Sequence, residues 1–262
     1  MQLNPRYGTD PLITLDGSPA EILEPAVRQR RRLAATLATL TDEQWAHPSR
    51  CDGWSSRDVI VHLDTTNSFW AFSIAQGLKG EPTQFLATFD PVTSPAQMVA
   101  DAGDVSVDKV LNSFLASTDA LTDLLTSLDT GDWTVLAESP PGHVSISALT
   151  HHALWDSWVH ERDILLPLGL PADEEPDEII ACLRYGAALA PAFAVTNGAA
   201  ASGVLAVSVD DPDAAFVVTV DGQVDVRVGR SDDADLELTG PAVEVLETLS
   251  IRRPIGQTID PG

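Results

Sequence analysis

The run Cys51-Asp52-Gly53-Trp54-Ser55-Ser56-Arg57-Asp58-Val59-Ile60-Val61-His62 turns a loop into a helix. Pro48, Asp52 and Gly53 are turn formers. Ser55 offers the side chain of an N-cap, and Asp58, three residues on, can reach back to it. The spacing predicts a helix from about Ser56 to Leu78, with Gly77 and Gly80 as stops. Upstream, Ile22, Ala26, Leu33, Leu37 and Leu40 recur at helical spacing, and the basic run Arg28 to Arg32 between them reads as the solvated face of an amphipathic helix. Downstream, Ser94 as cap and Pro95 in the first helical position open a third helix, which carries Val110, Phe114, Leu115, Leu121, Leu124, Leu125 and Leu128. Ala102-Gly103-Asp104 is the place for it to kink or break. Ser145 begins a fourth helix that ends near Pro167 and Gly169.

Beyond this bundle the pattern changes. Leu170 to Pro176 is rich in proline and acid and reads as a linker, and a helix from about Asp177 to Phe193 follows. Val204 to Val209, Ala215 to Val220, Val224 to Val228 and Asp235 to Thr239 are short and β-branched, with Asp221-Gly222 as a hairpin turn. A closing helix spans Pro241 to about Ile251. The expected fold class is α+β: a four-helix bundle over residues 15–170, then a small α/β domain over residues 171–262 with a short, mainly antiparallel sheet.

A chain of 262 residues that is 44% hydrophobic can bury a sizeable core. With 39 acidic against 15 basic residues its formal charge is -24, which repels phosphate backbones and anionic membrane surfaces, so neither nucleic acid nor membrane is an expected partner. Cys51 and Cys182 lie too far apart in sequence for thiolate-metal spacing or a disulfide framework. Met1 to Asp10 has no basic flank followed by an apolar core, and no stretch reaches ~18 uninterrupted apolar residues. The expected location is a reducing cytoplasm, as monomer or homodimer.

His152, Asp156 and His160 stand four residues apart on the fourth helix and therefore share one face. Met by His62 from a facing helix, they would offer nitrogen and oxygen ligands to a divalent ion with a coordination position left open. By spacing alone, ordinary surface or hydrogen-bonded core histidines are the commoner reading. Trp155 and Trp158 flank this face and are candidate walls of a ligand pocket, and His143 in a Pro-Gly loop is a candidate for its border. Arg252 and Arg253 either project toward the bundle to hold a carboxylate or complement the end of the last helix. Cys51 reads as a small buried side chain more readily than as a nucleophile.

The run Cys51 to His62 resembles the signature of the mycothiol-dependent maleylpyruvate isomerase family, a branch of the DinB-like helical bundles. There, glutamate, three residues, histidine and a closely following aspartate form a second motif, to which Asp156-Ser157-Trp158-Val159-His160-Glu161-Arg162-Asp163 is similar. Leu236-Glu237-Leu238-Thr239-Gly240-Pro241-Ala242, with Arg252-Arg253 beyond, is similar to the close of the family's C-terminal domain. The resemblance spans nearly the whole chain after residue 20. It implies His62, Asp156 and His160 as a metal triad, zinc or another first-row ion as the metal, and mycothiol as thiol cosubstrate. Asp156 stands where the family has glutamate, so it must sit closer to the ion, bind through water, or yield its place to His152.

The implied chemistry is a metal-stabilised thiolate that adds to an electrophilic small molecule. Addition, rotation and expulsion give isomerisation; retained addition or displacement gives S-transfer. The alternatives are a binding protein that has lost its metal chemistry and a metal-dependent hydrolase in which the open position activates water.

Overall fold

A computed structural model of the chain describes residues 3–91, 93–199 and 202–254; Met1, Gln2 and the end of the expected second domain at Gly262 lie outside them. In chain order the elements are β1 (Ile13–Leu15), α1 (Leu23–Leu37), α2 (Asp42–Trp45), α3 (Ser56–Gly77), α4 (Thr93–Asp101), α5 (Val107–Thr126), β2 (Leu136–Ser139), β3 (Gly142–Ser145), α6 (Ile146–Leu165), α7 (Pro176–Thr196), β4 (Ser202–Asp210), β5 (Ala214–Asp221), β6 (Val224–Val228), β7 (Leu236–Pro241) and α8 (Ala242–Leu249).

The helix starts follow from local chemistry. Ser55 Oγ accepts from the Asp58 N–H while the Asp58 carboxylate accepts from the Ser55 N–H, closing a capping box on α3. Ser145 Oγ accepts from the Ala148 N–H at 3.1 Å and starts α6. The predicted third helix is two helices, α4 and α5, parted at residues 102–106. Its cap also differs from expectation. Asp90 Oδ1 accepts from the Thr93 N–H at 2.8 Å, and Ser94 lies inside the first turn.

The bundle packs α1, α3, α5 and α6 together. Here the basic run departs from its reading as a solvated face. Arg31 is exposed, but Gln29 and Arg30 are buried, and Arg28 and Arg32 lean onto α6 and α7. Arg32 Nη2 lies 2.8 Å from both Glu161 Oε2 and Glu178 Oε2, and Arg28 Nε lies 2.9 Å from Glu178 Oε1. Buried acids on facing helices explain the inward turn, since each carboxylate needs a cation once it leaves water. Arg30 runs through the bundle core, with Nε donating to Asn67 Oδ1 at 3.2 Å and Nη2 to the Ala153 carbonyl at 2.8 Å.

The larger sheet has strand order β1-β6-β5-β4-β7. It is antiparallel at its centre, β4 with β5 and β5 with β6, and parallel at both edges, β1 with β6 and β4 with β7. Asp221-Gly222 turns β5 into β6, with Gly222 at φ +66°. The short β1 and the β2–β3 hairpin were not anticipated, being too short for a period to register. Residues ahead of the bundle thus supply an edge strand of the C-terminal sheet. At the β2–β3 turn Gly142 adopts φ +123°, and any Cβ there would strike the backbone of Arg6.

Helix α7 is long and apolar enough to pass for a membrane-crossing segment. In this fold Cys182, Leu183, Tyr185 and Ala188 are buried, because α7 packs against α1 and α6 on one side and β5 and β6 on the other. One apolar cluster accordingly runs from Trp70 and Leu121 in the bundle through Trp158 and Tyr185 to Val207, Phe216 and Leu246. The bundle and the sheet share this core.

Candidate metal centre

The third and fourth turns of α6 face the second turn of α3, and that packing brings His62 to Asp156 and His160. Donor atoms of the three all lie within 4.8 Å of one another. His62 Nε2 stands 3.7 Å from Asp156 Oδ2, and His160 Nε2 stands 3.6 Å from Asp156 Oδ1, so one carboxylate oxygen serves each ring. These separations are too long for good hydrogen bonds. Ligand atoms bonded at ~2.1 Å around a tetrahedral ion stand roughly 3.4 Å apart, so the spacing suits three donors sharing one ion. The imidazole rings of His62 and His160 meet edge to face at 5.0 Å, and Trp54 tilts against His62 at 5.6 Å.

The same side chains are electrostatically coupled in the protein alone. Burial raises the Asp156 pKa, but interaction with His62 and the nearby His160 and His152 outweighs it and holds the carboxylate well below its usual range. Burial lowers the His160 pKa, while Asp163, Cys51 and Asp156 push it up to about 10. The second ring nitrogen of His160 is oriented from behind, with Nδ1 3.0 Å from Asp163 Oδ2. A carboxylate on the far nitrogen of a ligand histidine fixes the ring and raises its basicity.

Asp163 is itself held by a fork. Arg252 Nε donates to Oδ1 at 2.8 Å and Nη2 to Oδ2 at 2.6 Å, and the Arg50 Nε lies 3.6 Å from Oδ1. Arg252 therefore does hold a carboxylate, the protein's own, and it ties the end of α8 to α6. Cys51 is half-buried and touches this group, with Sγ 3.3 Å from Asp163 Oδ2 and 3.7 Å from both His160 Nδ1 and Arg252 Nη2. Cys51, His160 and Asp163 form a second cluster of metal-type donors. The guanidinium occupying both oxygens of Asp163 opposes a cation there, and the open trio is His62, Asp156 and His160.

The remaining expected residues fall on both sides of the division. His152 is outside the cluster: its Nδ1 is 2.9 Å from the Tyr185 hydroxyl, its ring packs against Trp70, Trp155 and Tyr185, and burial lowers its pKa to about 4. Asp156 comes within 3.7 Å of both histidines despite its short side chain, and His152 lines the cleft beside them. Trp155 lines the cleft above the trio, its indole N–H donating to Ser250 Oγ at 2.9 Å. Trp158 does not; it points into the core beneath the Arg162 guanidinium, 4.8 Å from its ring, because the next two positions on a helix turn away from the cleft face. His143 is not in a loop but in β3, buried against the carbonyl oxygens of Gly8 and Thr83. Arg253, beyond the end of α8, pairs back with Glu244 of that helix at 3.1 Å, so of the two arginines only Arg252 faces the site.

The trio opens into a cleft of about 1050 Å³ between the bundle and the end of α8. Leu189 and Phe193 of α7, Phe89, Pro95 and Ile251 complete its walls. Sequence reasoning missed these because α7 carries no period that marks a ligand-facing residue. Arg50 and the orienting role of Asp163 were missed for another reason: their partners lie in distant segments.

Fold and site together define a helical-bundle protein with an open two-histidine, one-carboxylate centre beside a small mixed sheet. Residues 26–165 match the family described as mycothiol maleylpyruvate isomerase N-terminal domain, and the chain belongs to that family. A crystal structure of the mycothiol-dependent maleylpyruvate isomerase is similar at 17% identity and a TM-score of 0.64, covering 93% of this chain and 95% of that one. A histidine-to-alanine mutant of a mycothiol-dependent maleylpyruvate isomerase is similar at 17% identity and a TM-score of 0.63, covering 90% of each chain. No curated protein matches the sequence.

Proposed function

We propose that this protein is a metal- and mycothiol-dependent enzyme that joins the thiol sulfur to an electrophilic small molecule, in an isomerisation or an S-transfer. The observation that carries this reading is the geometry of His62, Asp156 and His160: three donors, spaced for one ion, at the floor of an open cleft. Their nitrogen and carboxylate chemistry fits zinc and other first-row divalent ions. When bound, such an ion stabilises a thiolate near neutral pH. The chain's own residues do the rest. Asp163 holds the His160 ring, Arg252 holds Asp163, and Trp54 and Trp155 border the space above the trio.

With a conjugated carbonyl substrate the thiol releases its proton to water, a C–S bond forms at the β-carbon, and the π electrons of the double bond move to the carbonyl oxygen. Rotation about the resulting single bond and return of the electrons expel the thiolate and leave the isomer. Uptake of one proton in place of expulsion leaves the thioether. Family membership and the two similar folds support mycothiol as the thiol, and both cysteines are free thiols, which suits the cytoplasm we propose as its location.

The test follows both mycothiol consumption and geometric isomerisation of an activated alkene by protein loaded with zinc, in the native chain and in His62→Ala. Turnover lost in the variant supports the reading. Turnover that needs no thiol points to hydrolysis, and ligand binding with neither metal nor turnover points to a binding protein; either result sinks it.

A further inference from the structure

The arginines of the cleft are already engaged. Among the described residues its lining holds two arginines, Arg50 and Arg252. Arg252 places Nε and Nη2 on Asp163 and its Nη1 3.3 Å from the Ser250 carbonyl. Arg50 donates to Glu247 Oε1 at 2.8 Å and leans on Asp163. Asp52 adds a negative charge to the same rim, on a chain whose formal charge is -24. A dicarboxylate entering here would meet no unpaired guanidinium and would have to displace a partly buried ion pair to obtain one.

The walls offer a different chemistry. Phe89, Trp155, Leu189, Phe193 and Ile251 present apolar surface around the trio. Ile251 stands out among them. It sits just past the end of α8 at φ +58°, in the left-handed region where a β-branched residue is strained and glycine is usual, and its side chain is 88% exposed. Neither helix capping nor solubility favours isoleucine at that position. Strain held at the mouth of a cleft is a recognised mark of a functional contact.

We infer that the electrophile taken by this site is an uncharged molecule bearing an aryl or similarly bulky apolar group, seated against Ile251, Phe193 and Trp155, and not a dicarboxylate. This rests on the reading of the cleft as a substrate site and names the class of substrate it takes.

Binding and turnover test the two separately. Calorimetric titration of the full-length protein, zinc-loaded and metal-free, compares benzalacetone, an uncharged aryl enone, with maleate, a small dicarboxylate. Benzalacetone is expected to bind about tenfold or more tightly than maleate in both forms. Ile251→Gly and Phe193→Ala are each expected to weaken benzalacetone about threefold to tenfold, and Ile251→Gly to raise the melting temperature. Maleate binding as tightly as benzalacetone, or both variants binding benzalacetone like the native chain, overturns the inference. Adding mycothiol to the same samples then tests the chemistry. The expected binding preference with neither thiol addition nor thiol-dependent isomerisation of the enone supports the substrate class while sinking the thiol-dependent reading. Thiol addition together with tight maleate binding supports that reading and overturns the substrate class.

Discussion

Asp156 and Asp163 stand two turns apart on the same helix, the first half-buried at the cleft and the second buried, and each is held in its ionised form. What surrounds them differs. Asp163 meets guanidinium donors at 2.6 and 2.8 Å, which consume its lone pairs and leave nothing for an ion. Asp156 meets two imidazoles at 3.6 and 3.7 Å, a gap too wide for a hydrogen bond and suited to a shared cation. A low carboxylate pKa marks both sites alike, so it does not separate an anchor from a ligand. The partner's chemistry and the distance do.

The sharpest way to break this comparison is to remove one acid at a time. Asp156→Ala is expected to lower zinc affinity about a thousandfold, some 4 kcal/mol, and to leave protein purified without a metal-binding tag empty by elemental analysis. Asp163→Ala is expected to retain zinc with an affinity reduced ten- to hundredfold, since His160 loses only its orienting partner. The same change should cost about 3 kcal/mol in denaturant unfolding, because Arg252 and Arg50 are left uncompensated at a partly buried site. Equal metal loss in both variants would erase the distinction.

The histidines of α6 extend the contrast to pH. His151 is buried, its Nδ1 donating to the Ser147 carbonyl at 2.9 Å, and burial together with Arg184 lowers its pKa to about 4. The unfolded chain binds that proton near pH 6.5, so stability should fall by ~2 to 3 kcal/mol as pH drops from 6.5 to 4, and His151→Gln should shrink the loss. His160, raised to about 10, has the opposite sign: the stability it adds is full below pH 6.5 and is lost as pH rises toward 10. Unfolding midpoints measured across pH 4 to 8 would expose either sign as wrong.

The smallest effects separate neighbours in the basic run. Arg32→Ala is expected to destabilise by ~2 kcal/mol, because Glu161 and Glu178 lose a shared cation in the interior. Arg31→Ala, one residue away and exposed, should stay within ~0.5 kcal/mol of the native chain. A double-mutant cycle of Arg32 with Glu161 that returns no coupling would show the inward turn of this run to be incidental.

This last pair shows what the sequence conveyed and what it did not. Caps, helical spacing and β-branched alternation are local properties, written within a few residues, and from them α3, α6, α7 and the four strands from β4 to β7 were legible close to their observed bounds. So was the shared face of Asp156 and His160, which a period of four residues dictates. Asp163 was legible only as part of a motif, without its role. Arg30 and Arg32 read as solvated because a charge has no local mark that distinguishes water from a buried acid on a helix more than a hundred residues away. The tertiary structure alone decided that Arg252 reaches Asp163 across 89 positions, that β1 joins a sheet formed near the other end of the chain, and that Ile251 borders the cleft. A sequence pattern determines which face of an element leaves water; only packing determines what that face meets, because the energy of a contact belongs to the pair and not to either residue.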